Sequence, residues 1–153
     1  MREWLIREAK QGDEQELAEM MASLWPDGSV AEHLSEAETL IRTRKCGILP
    51  ATFFIAEDTR LIGFIQVGLR SHADGCDPAR PVGFIEGWFV DERFRNDGVG
   101  RELMHAGERW SKTLGCLEIA SDALLENDVS HRAHSALGFD VVDRCVHYRK
   151  HLV

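Results

Sequence analysis

The chain has 153 residues, of which 44% are apolar and 29% are charged. These proportions are ordinary for a folded globular protein and exclude a wholly disordered chain, and the length predicts a single domain over residues 1–153. The formal net charge is −8. A negative surface repels phosphate backbones and attracts cations, so nucleic-acid binding is disfavoured and a cationic partner is favoured.

No apolar stretch is long enough to span a bilayer, so we expect no membrane association. The N-terminal residues Met1–Trp4 lack the basic and apolar regions of a secretory leader, which favours a cytoplasmic location. The four cysteines form no CxxC pair and no cluster with histidines, so we expect free thiols and no metal site.

The first half of the chain predicts a strand, two helices and a β-hairpin. Apolar residues recur at helical spacing after Gly12-Asp13 and again after Ser29, and a Trp-Pro-Asp-Gly turn separates the two helices. The hairpin consists of two apolar runs joined by Asp58-Thr59-Arg60. The predicted strands are residues 3–8, 51–57 and 61–69.

The second half predicts a long buried strand over Val82–Val90, followed by a helix over Gly98–Leu114. A further strand (116–121), a short helix (127–137) and closing strands within 139–152 complete the chain. A helix that connects two strands of one sheet makes them parallel, whereas the hairpin is antiparallel. The fold class is therefore α/β, a mixed sheet with helices on its faces.

A glycine-rich turn follows the long strand and opens the next helix, with the sequence Arg95-Asn96-Asp97-Gly98-Val99-Gly100. The first turn of a helix offers unpaired N–H groups to an anion, and glycines let the backbone approach a phosphate closely. A dinucleotide fingerprint would need glycine where Leu103 stands, and a P-loop would need Lys where Arg101 stands. A different phosphate-bearing ligand is therefore indicated, with a turn that binds no ligand as the alternative.

The R-x-x-G-x-G turn between strand and helix resembles the acetyl-CoA motif of the GNAT acyltransferases, and Asn127 followed by Leu137-Gly138-Phe139 resembles the second motif of that family. The order of strands and helices matches over nearly the whole chain. More narrowly, the chain resembles compact, chromosomally encoded aminoglycoside 6′-N-acetyltransferases. The residues that carry this closer resemblance are 24–26, 75–77, 84–87, 89–90, 120–122, 126–127, 134, 136–139 and 148–150.

The resemblance implies a GNAT fold and acetyl-CoA as co-substrate. Backbone groups around the glycine-rich turn would hold the pyrophosphate, the open edge of the long strand would pair with the pantetheine arm, and Asn127 would hydrogen-bond that arm. Core packing is the alternative role for Trp88 and Phe89, and a helix N-cap is the alternative for Asn127. The implied residues are Trp88, Phe89, Val90, Arg95, Asn96, Asp97, Gly98, Val99, Gly100, Arg101 and Asn127.

For the acceptor amine, the resemblance implies an acidic cleft formed by Glu86, Asp122 and Asp143, with Trp25 as a packing face for an amino sugar. Glu86 lies within a predicted strand, and alternation along that strand places it on one face with Val82, Phe84 and Trp88. A carboxylate among apolar side chains is costly without a partner. Glu86 is therefore predicted to bind the amine and act as general base, with a structural ion pair as the alternative. His134 stands where many GNAT enzymes carry a tyrosine general acid; whether His134 or water protonates the leaving thiolate stays open.

The predicted reaction is direct transfer of the acetyl group to an aminoglycoside 6′-amine, which would confer resistance. No cysteine is well placed as an acyl carrier, so no covalent intermediate is expected. The alternatives are acetylation of another small amine, such as a polyamine or amino sugar, acetylation of a protein N-terminus, and a non-catalytic acetyl-CoA sensor. The narrower group also implies a homodimer, often formed through the C-terminal strands.

Overall fold

The computed structural model describes residues 3–153; Met1 and Arg2, which belong to the N-terminal sequence considered for a leader, lie outside the described residues. Its strands are β1 (Leu5–Glu8), β2 (Lys45–Cys46), β3 (Leu49–Glu57), β4 (Leu61–Arg70), β5 (Val82–Val90) and β6 (Ile119–Ser121). Its α-helices are α1 (Glu14–Leu24), α2 (Val30–Thr43), α3 (Val99–Thr113) and α4 (Asp128–Ala136).

A single mixed sheet organises these elements in the order β1-β3-β4-β5-β6, with the short β2 paired to β3. The β3–β4 hairpin and the β4–β5 pair are antiparallel, whereas α3 connects β5 to β6 and these two strands are parallel. The predicted α/β fold class and strand directions are therefore confirmed, and β5 has the predicted bounds.

Helices cover both faces of the sheet and bury its apolar side chains. On one face, α1 and α2 bury residues such as Leu17 and Met21 against Phe53 and Phe64 of the sheet. On the other face, α3 buries residues such as Leu103 against the sheet. Ser29 starts α2 with a capping box, in which its hydroxyl accepts from the Glu32 N–H and the Glu32 carboxylate accepts from the Ser29 N–H.

A β-bulge interrupts the pairing of β5 with β4 at Glu86. Gln66 pairs with Gly87 and Val67 pairs with Ile85, so Glu86 is the extra residue on its strand. The bulge shifts the alternation of side chains along β5. Glu86 shares the α1–α2 side with Phe84, while Trp88 packs on the α3 side, so the prediction that both lie on one face with Phe84 was wrong.

The C-terminal part differs most from the sequence prediction. β6 has three residues rather than six, and no strand forms in residues 139–153 of the structure. Residues 140–153 are all exposed; we call this segment the C-terminal arm. The closing strands that were expected to contain Asp143 are absent from the described chain, because the arm does not return to pair with the sheet. Within residues 3–153, no helix is both long and apolar enough to cross a membrane.

Candidate active site

The strands β5 and β6 separate halfway along β5. Their parallel pairing runs from Gly83 with Ile119 to Ile85 with Ser121, and β6 ends there. β5 continues to Val90 with β4 on one side only. The backbone of residues 86–90 therefore has an open edge beyond the end of β6, and we call the space beside this edge the cleft. An extended ligand could pair with the edge as an added strand.

The start of α3 lies just beyond the open end of β5 and fits an anion. The first intrahelical bond runs from the Glu102 N–H to the Gly98 carbonyl, so the N–H groups of residues 99–101 point out of the helix start. Asn96 and Gly98 have φ of 67° and 87°. A side chain at Gly98 would meet no atom within 4 Å, so the approach to this turn is open. The turn thus offers the backbone donors that a pyrophosphate requires.

Trp88, Phe89 and Val90 use their side chains for packing. The Trp88 indole N–H donates to the Gly100 carbonyl at 3.1 Å, which fixes the first turn of α3 against β5. The Phe89 ring stacks on Phe64 with centroids 6.1 Å apart, and Val90 packs against the core beneath α3. The packing role considered for the two aromatic side chains is observed. Arg95 donates from Nε to the Val90 carbonyl at 2.9 Å, which orients its guanidinium beside the turn.

Arg70, at the end of β4, holds the Glu86 carboxylate. The guanidinium donates to Oε1 at 2.8 and 2.9 Å and to Oε2 at 2.9 Å, and it lies 3.5 Å from the centroid of the Phe84 ring. The Glu86 side chain is 34% exposed. The carboxylate therefore has the ion-pair partner that its strand position demands and keeps a solvent-facing surface that could accept a hydrogen bond from an amine. Sequence reasoning missed Arg70, because nothing in the sequence places residues 70 and 86 together.

Trp25 lies on the same side of the sheet as Glu86. A Cβ atom added to Gly87 would lie 2.5 Å from Trp25 Cη2, so the indole ring rests directly on the glycine backbone. The ring also contacts Phe64, and the buried His33 side chain hydrogen-bonds the Trp25 carbonyl at 3.1 Å. Trp25 is half-buried, so it combines core packing with an accessible edge.

His134 lies on the α3 side of the sheet, opposite Glu86 and Trp25, and forms a hydrogen bond with Ser121. Nδ1 lies 2.7 Å from the Ser130 carbonyl, which can only accept, so Nδ1 carries a proton. Nε2 lies 2.8 Å from the Ser121 hydroxyl. The ring packs edge-on against Trp88 and Phe139, with centroids 5.3 and 5.2 Å away. Sequence reasoning singled out His134 but did not predict its hydrogen bond with Ser121.

The three remaining predicted site residues lie in different parts of the structure. Asn127 caps α4, since its side-chain oxygen accepts from the Ser130 N–H at 3.1 Å. Asp122 is exposed and directly follows β6, at the point where β6 ends and β5 continues. Asp143 lies on the exposed C-terminal arm and accepts from the Arg144 N–H.

The cysteines differ in their exposure to solvent. Cys116 is buried, and its burial raises the pKa of the thiol, so the reactive thiolate is disfavoured there. Cys46 and Cys145 are exposed. Within residues 3–153, no group of three or more His, Cys, Asp and Glu side chains is arranged to hold a metal ion.

A sequence profile described as the acetyltransferase (GNAT) family matches residues 14–139, which include β5, the glycine-rich turn and α4. The chain belongs to the GNAT family. The resemblance predicted from the two motifs is confirmed, as is the GNAT fold.

Individual members of the GNAT family are similar over almost the entire chain. The aminoglycoside N(6′)-acetyltransferase type 1 of Klebsiella aerogenes is 35% identical over 148 residues, which are 97% of each chain. The enzyme of the same name from Salmonella typhimurium is 38% identical over 83% of this chain and 85% of its own. The solved structure of AAC(6′)-Iy in complex with the bisubstrate analogue CoA-S-monomethyl-acetylneamine superposes with a TM-score of 0.87 at 34% identity, covering 98% of this chain and 99% of that one.

Proposed function

We propose that this protein transfers the acetyl group of acetyl-CoA to the 6′-amino group of aminoglycoside antibiotics and thereby confers resistance. The observation that carries the proposal is the split between β5 and β6, which has phosphate-binding geometry at one end and the Glu86 carboxylate at the other. The similarity to named aminoglycoside N(6′)-acetyltransferases over 97% of both chains supports the same substrate class.

Acetyl-CoA would lie along the open edge of β5. The N–H groups of residues 96–101 and the Arg95 guanidinium suit its pyrophosphate, and the backbone of residues 88–90 suits the pantetheine arm. A backbone N–H near Phe89 would stabilise the oxyanion. The amide nitrogen of Asn127 would donate to the pantetheine arm while the side-chain oxygen caps α4. These donors are supplied by strand and helix termini, which hold them rigidly before the substrate binds.

The aminoglycoside would enter from the side of the sheet that carries Glu86 and Trp25. Glu86, Asp122 and Asp143 would bind its ammonium groups, and Trp25 would pack against a sugar ring. The ammonium must lose a proton before it attacks the thioester, and Glu86 would receive that proton directly or through water. Arg70 would hold the carboxylate in one orientation while the remaining lone pairs accept from the amine.

Glu86→Gln tests this assignment. The variant keeps the shape of the side chain but removes its charge and basicity, so we expect kcat for kanamycin to fall by about 10²-fold or more while the affinity for acetyl-CoA is retained. Release of CoA thiol measures turnover, and calorimetry measures acetyl-CoA binding. Unchanged turnover would remove Glu86 from the mechanism.

The substrate class is tested with a panel of acceptors. Kanamycin and tobramycin carry a 6′-amine, whereas paromomycin carries a 6′-hydroxyl. Turnover of the first two without paromomycin supports the proposal and identifies the acetylated position. Turnover of spermidine alone would keep the reaction type but reject the aminoglycoside as substrate.

We further propose that the protein is a homodimer formed through the C-terminal arm. The arm is exposed over residues 140–153 and carries apolar side chains, including Val146 at 63% exposure and Leu152 at 90% exposure, while β6 pairs only with β5. A second copy would cover these side chains and supply the strand partner that the arm lacks. Sedimentation equilibrium should give twice the 17.3 kDa chain mass, and Val146→Glu should lower it towards a single chain. A wild-type chain that sediments as a monomer would contradict the dimer.

Asp143 lies on this arm, so its contact with an aminoglycoside depends on how the arm packs in the dimer. A cytoplasmic location, a single-domain organisation and the absence of membrane and nucleic-acid partners stay predictions from the sequence.

A further inference from the structure

Ser121 occupies the point at which β5 and β6 separate. It is the last residue of β6, paired with Ile85, and Glu86 follows immediately on the neighbouring strand. The open edge of β5 runs from here to Val90, five residues or roughly 16 Å of extended strand. A ligand with its pyrophosphate on the α3 turn and its arm along this edge therefore brings its far end to Ser121.

Different polar groups lie on the two faces of the sheet at Ser121. The Ser121 hydroxyl bonds His134, which packs against Trp88 on the α3 side of the sheet. Glu86 bonds Arg70 over Phe84, on the α1–α2 side. An acyl transfer needs a group that takes a proton from the amine and another that gives one to the sulphur. The sheet separates two such groups and places them on its opposite faces.

His134 has no free ring nitrogen with which to reach the sulphur. Nδ1 is engaged by the Ser130 carbonyl and Nε2 by the Ser121 hydroxyl, and two aromatic rings fix the plane of the imidazole. Because Nδ1 donates to a carbonyl, protonation of the ring adds the new proton to Nε2, where it points at Ser121 Oγ. Ser121 then accepts from His134, and its own O–H is released towards the cleft.

We propose that Ser121 is the proton donor to the CoA sulphur, and that His134 is a positioning residue that replenishes the serine. This inference rests on the proposed acetyl transfer. As the carbon–sulphur bond breaks and its electron pair moves to sulphur, the Ser121 O–H proton passes to sulphur and the Nε2 proton passes to Ser121 Oγ. Neutral His134 remains, with its Nδ1–H on the Ser130 carbonyl. The ammonium loses its first proton to Glu86, which passes it to solvent, and the nitrogen loses a second proton after attack, which returns to Nε2 through water. Both residues are thereby restored, and one proton is released to solvent in each turnover.

Ser121→Ala removes the donor at small structural cost, because the residue is half-buried and near the end of a strand. We expect kcat to fall on the order of 10²-fold, with KM for kanamycin changed less than threefold. Ser121→Thr keeps a hydroxyl on the same strand position and should restore most of kcat. His134→Phe preserves a ring between Trp88 and Phe139 and should lower kcat by a similar factor. Because the two residues act on the same proton, kcat of the Ser121→Ala/His134→Phe double variant should be no lower than that of either single variant. The matched control is Ser135→Ala, at an exposed serine on α4 next to His134, which should leave kcat unchanged.

A second readout does not depend on the acceptor. The ultraviolet absorbance of the thiolate reports the pKa of the thiol of bound CoA, and a hydroxyl that donates to sulphur lowers that pKa. In Ser121→Ala the pKa of bound CoA should rise by about one unit relative to the wild type, whereas Ser135→Ala should leave it unchanged.

The outcomes separate this inference from the proposed substrate. If kanamycin is not acetylated, the aminoglycoside assignment fails, while the thiol titration still tests Ser121. A Ser121→Ala variant with kcat within twofold of wild type, or with an unshifted CoA thiol pKa, overturns the inference. An acetyl group found on Ser121 by peptide mass analysis would overturn it as well, since Ser121 would then be a nucleophile. Melting temperatures near the wild-type value establish that each variant is folded.

Discussion

Gly87→Ala should disturb the aminoglycoside site by displacing Trp25. Gly87 follows the bulge on β5, and the Trp25 ring lies against its backbone. A Cβ atom at Gly87 would be 2.5 Å from Trp25 Cη2, 2.7 Å from Cζ2 and 3.3 Å from Leu24 Cδ2. Carbon atoms in contact lie at least about 3.5 Å apart, so the ring must retreat by roughly 1 Å.

Two free-energy terms follow from that displacement. Inserting a methyl group into a packed site typically costs about 1–3 kcal/mol, which should appear in the free energy of unfolding. Moving the indole away from a bound amino sugar should remove a cation–π and packing contribution of about 0.5–2 kcal/mol. The second term corresponds to an increase of roughly 2- to 30-fold in KM for kanamycin, since 1.4 kcal/mol is about tenfold. Acetyl-CoA affinity should change less than KM for kanamycin, because the new methyl group points at Trp25 and Leu24 rather than along the open edge of β5.

The assay combines urea unfolding with steady-state kinetics in a double-mutant cycle. In a Trp25→Ala background the clash is removed, so Gly87→Ala should then change neither stability nor KM substantially. Gly68→Ala is the matched control, because a Cβ atom on this β4 glycine would meet its nearest neighbour, Ala51 Cβ, at an ordinary 3.5 Å. An equal effect of Gly87→Ala with and without Trp25 would refute the reasoning.

Three further predictions concern stability and reactivity. The Arg7 guanidinium bonds Asp13 at 2.8 and 2.9 Å and Glu57 at 2.8 Å, and these bonds hold the pKa of both carboxyls below their ordinary values of 3.8 and 4.5. The stabilisation is therefore present at pH values above those ordinary pKa values and is lost as the pH falls below them. Arg7→Met should lower the free energy of unfolding in urea by about 2 kcal/mol at pH 7 and by much less near pH 2. An equal loss at both pH values would contradict the ion-pair account. Gly83→Ala should lower the free energy of unfolding by about 2 kcal/mol or more, because the new methyl group would lie 2.7 Å from the Cβ of the buried Ser111. Additional replacement of Ser111 by Gly should recover part of the loss. A Gly83→Ala variant as stable as the wild type would show that the strand moves freely. A thiol reagent at pH 8 should label Cys46 before Cys116, because burial both shields the Cys116 thiol and raises its pKa. Peptide mass analysis would show the order, and early labelling of Cys116 would mean that α3 and β6 open readily.

The sequence by itself predicted the helices and turns that depend on interactions between residues close together in the chain. Apolar residues at helical spacing predicted α1, α2 and α3 to within a few residues, and α2 begins directly after Ser29, as expected. The glycine-rich turn indicated its helix terminus, since left-handed backbone at Gly98 and unpaired N–H groups are properties of a short segment. The same turn and the Leu137-Gly138-Phe139 motif carried the resemblance that the family comparison confirmed.

The tertiary structure decided which residues meet across strands and where the chain does not pair. Arg70 and Glu86 are sixteen residues apart, and only the antiparallel register with its bulge brings them together. The same bulge turns Trp88 away from Glu86, which strict alternation along the strand could not predict. Apolar alternation in the last residues suggested strands, yet pairing requires a free neighbouring edge at the right distance, and within this chain the C-terminal arm does not reach one. A sequence pattern records what each segment can bury, whereas the contacts that place Ser121 beside His134 depend on how β6 and α4 pack in three dimensions.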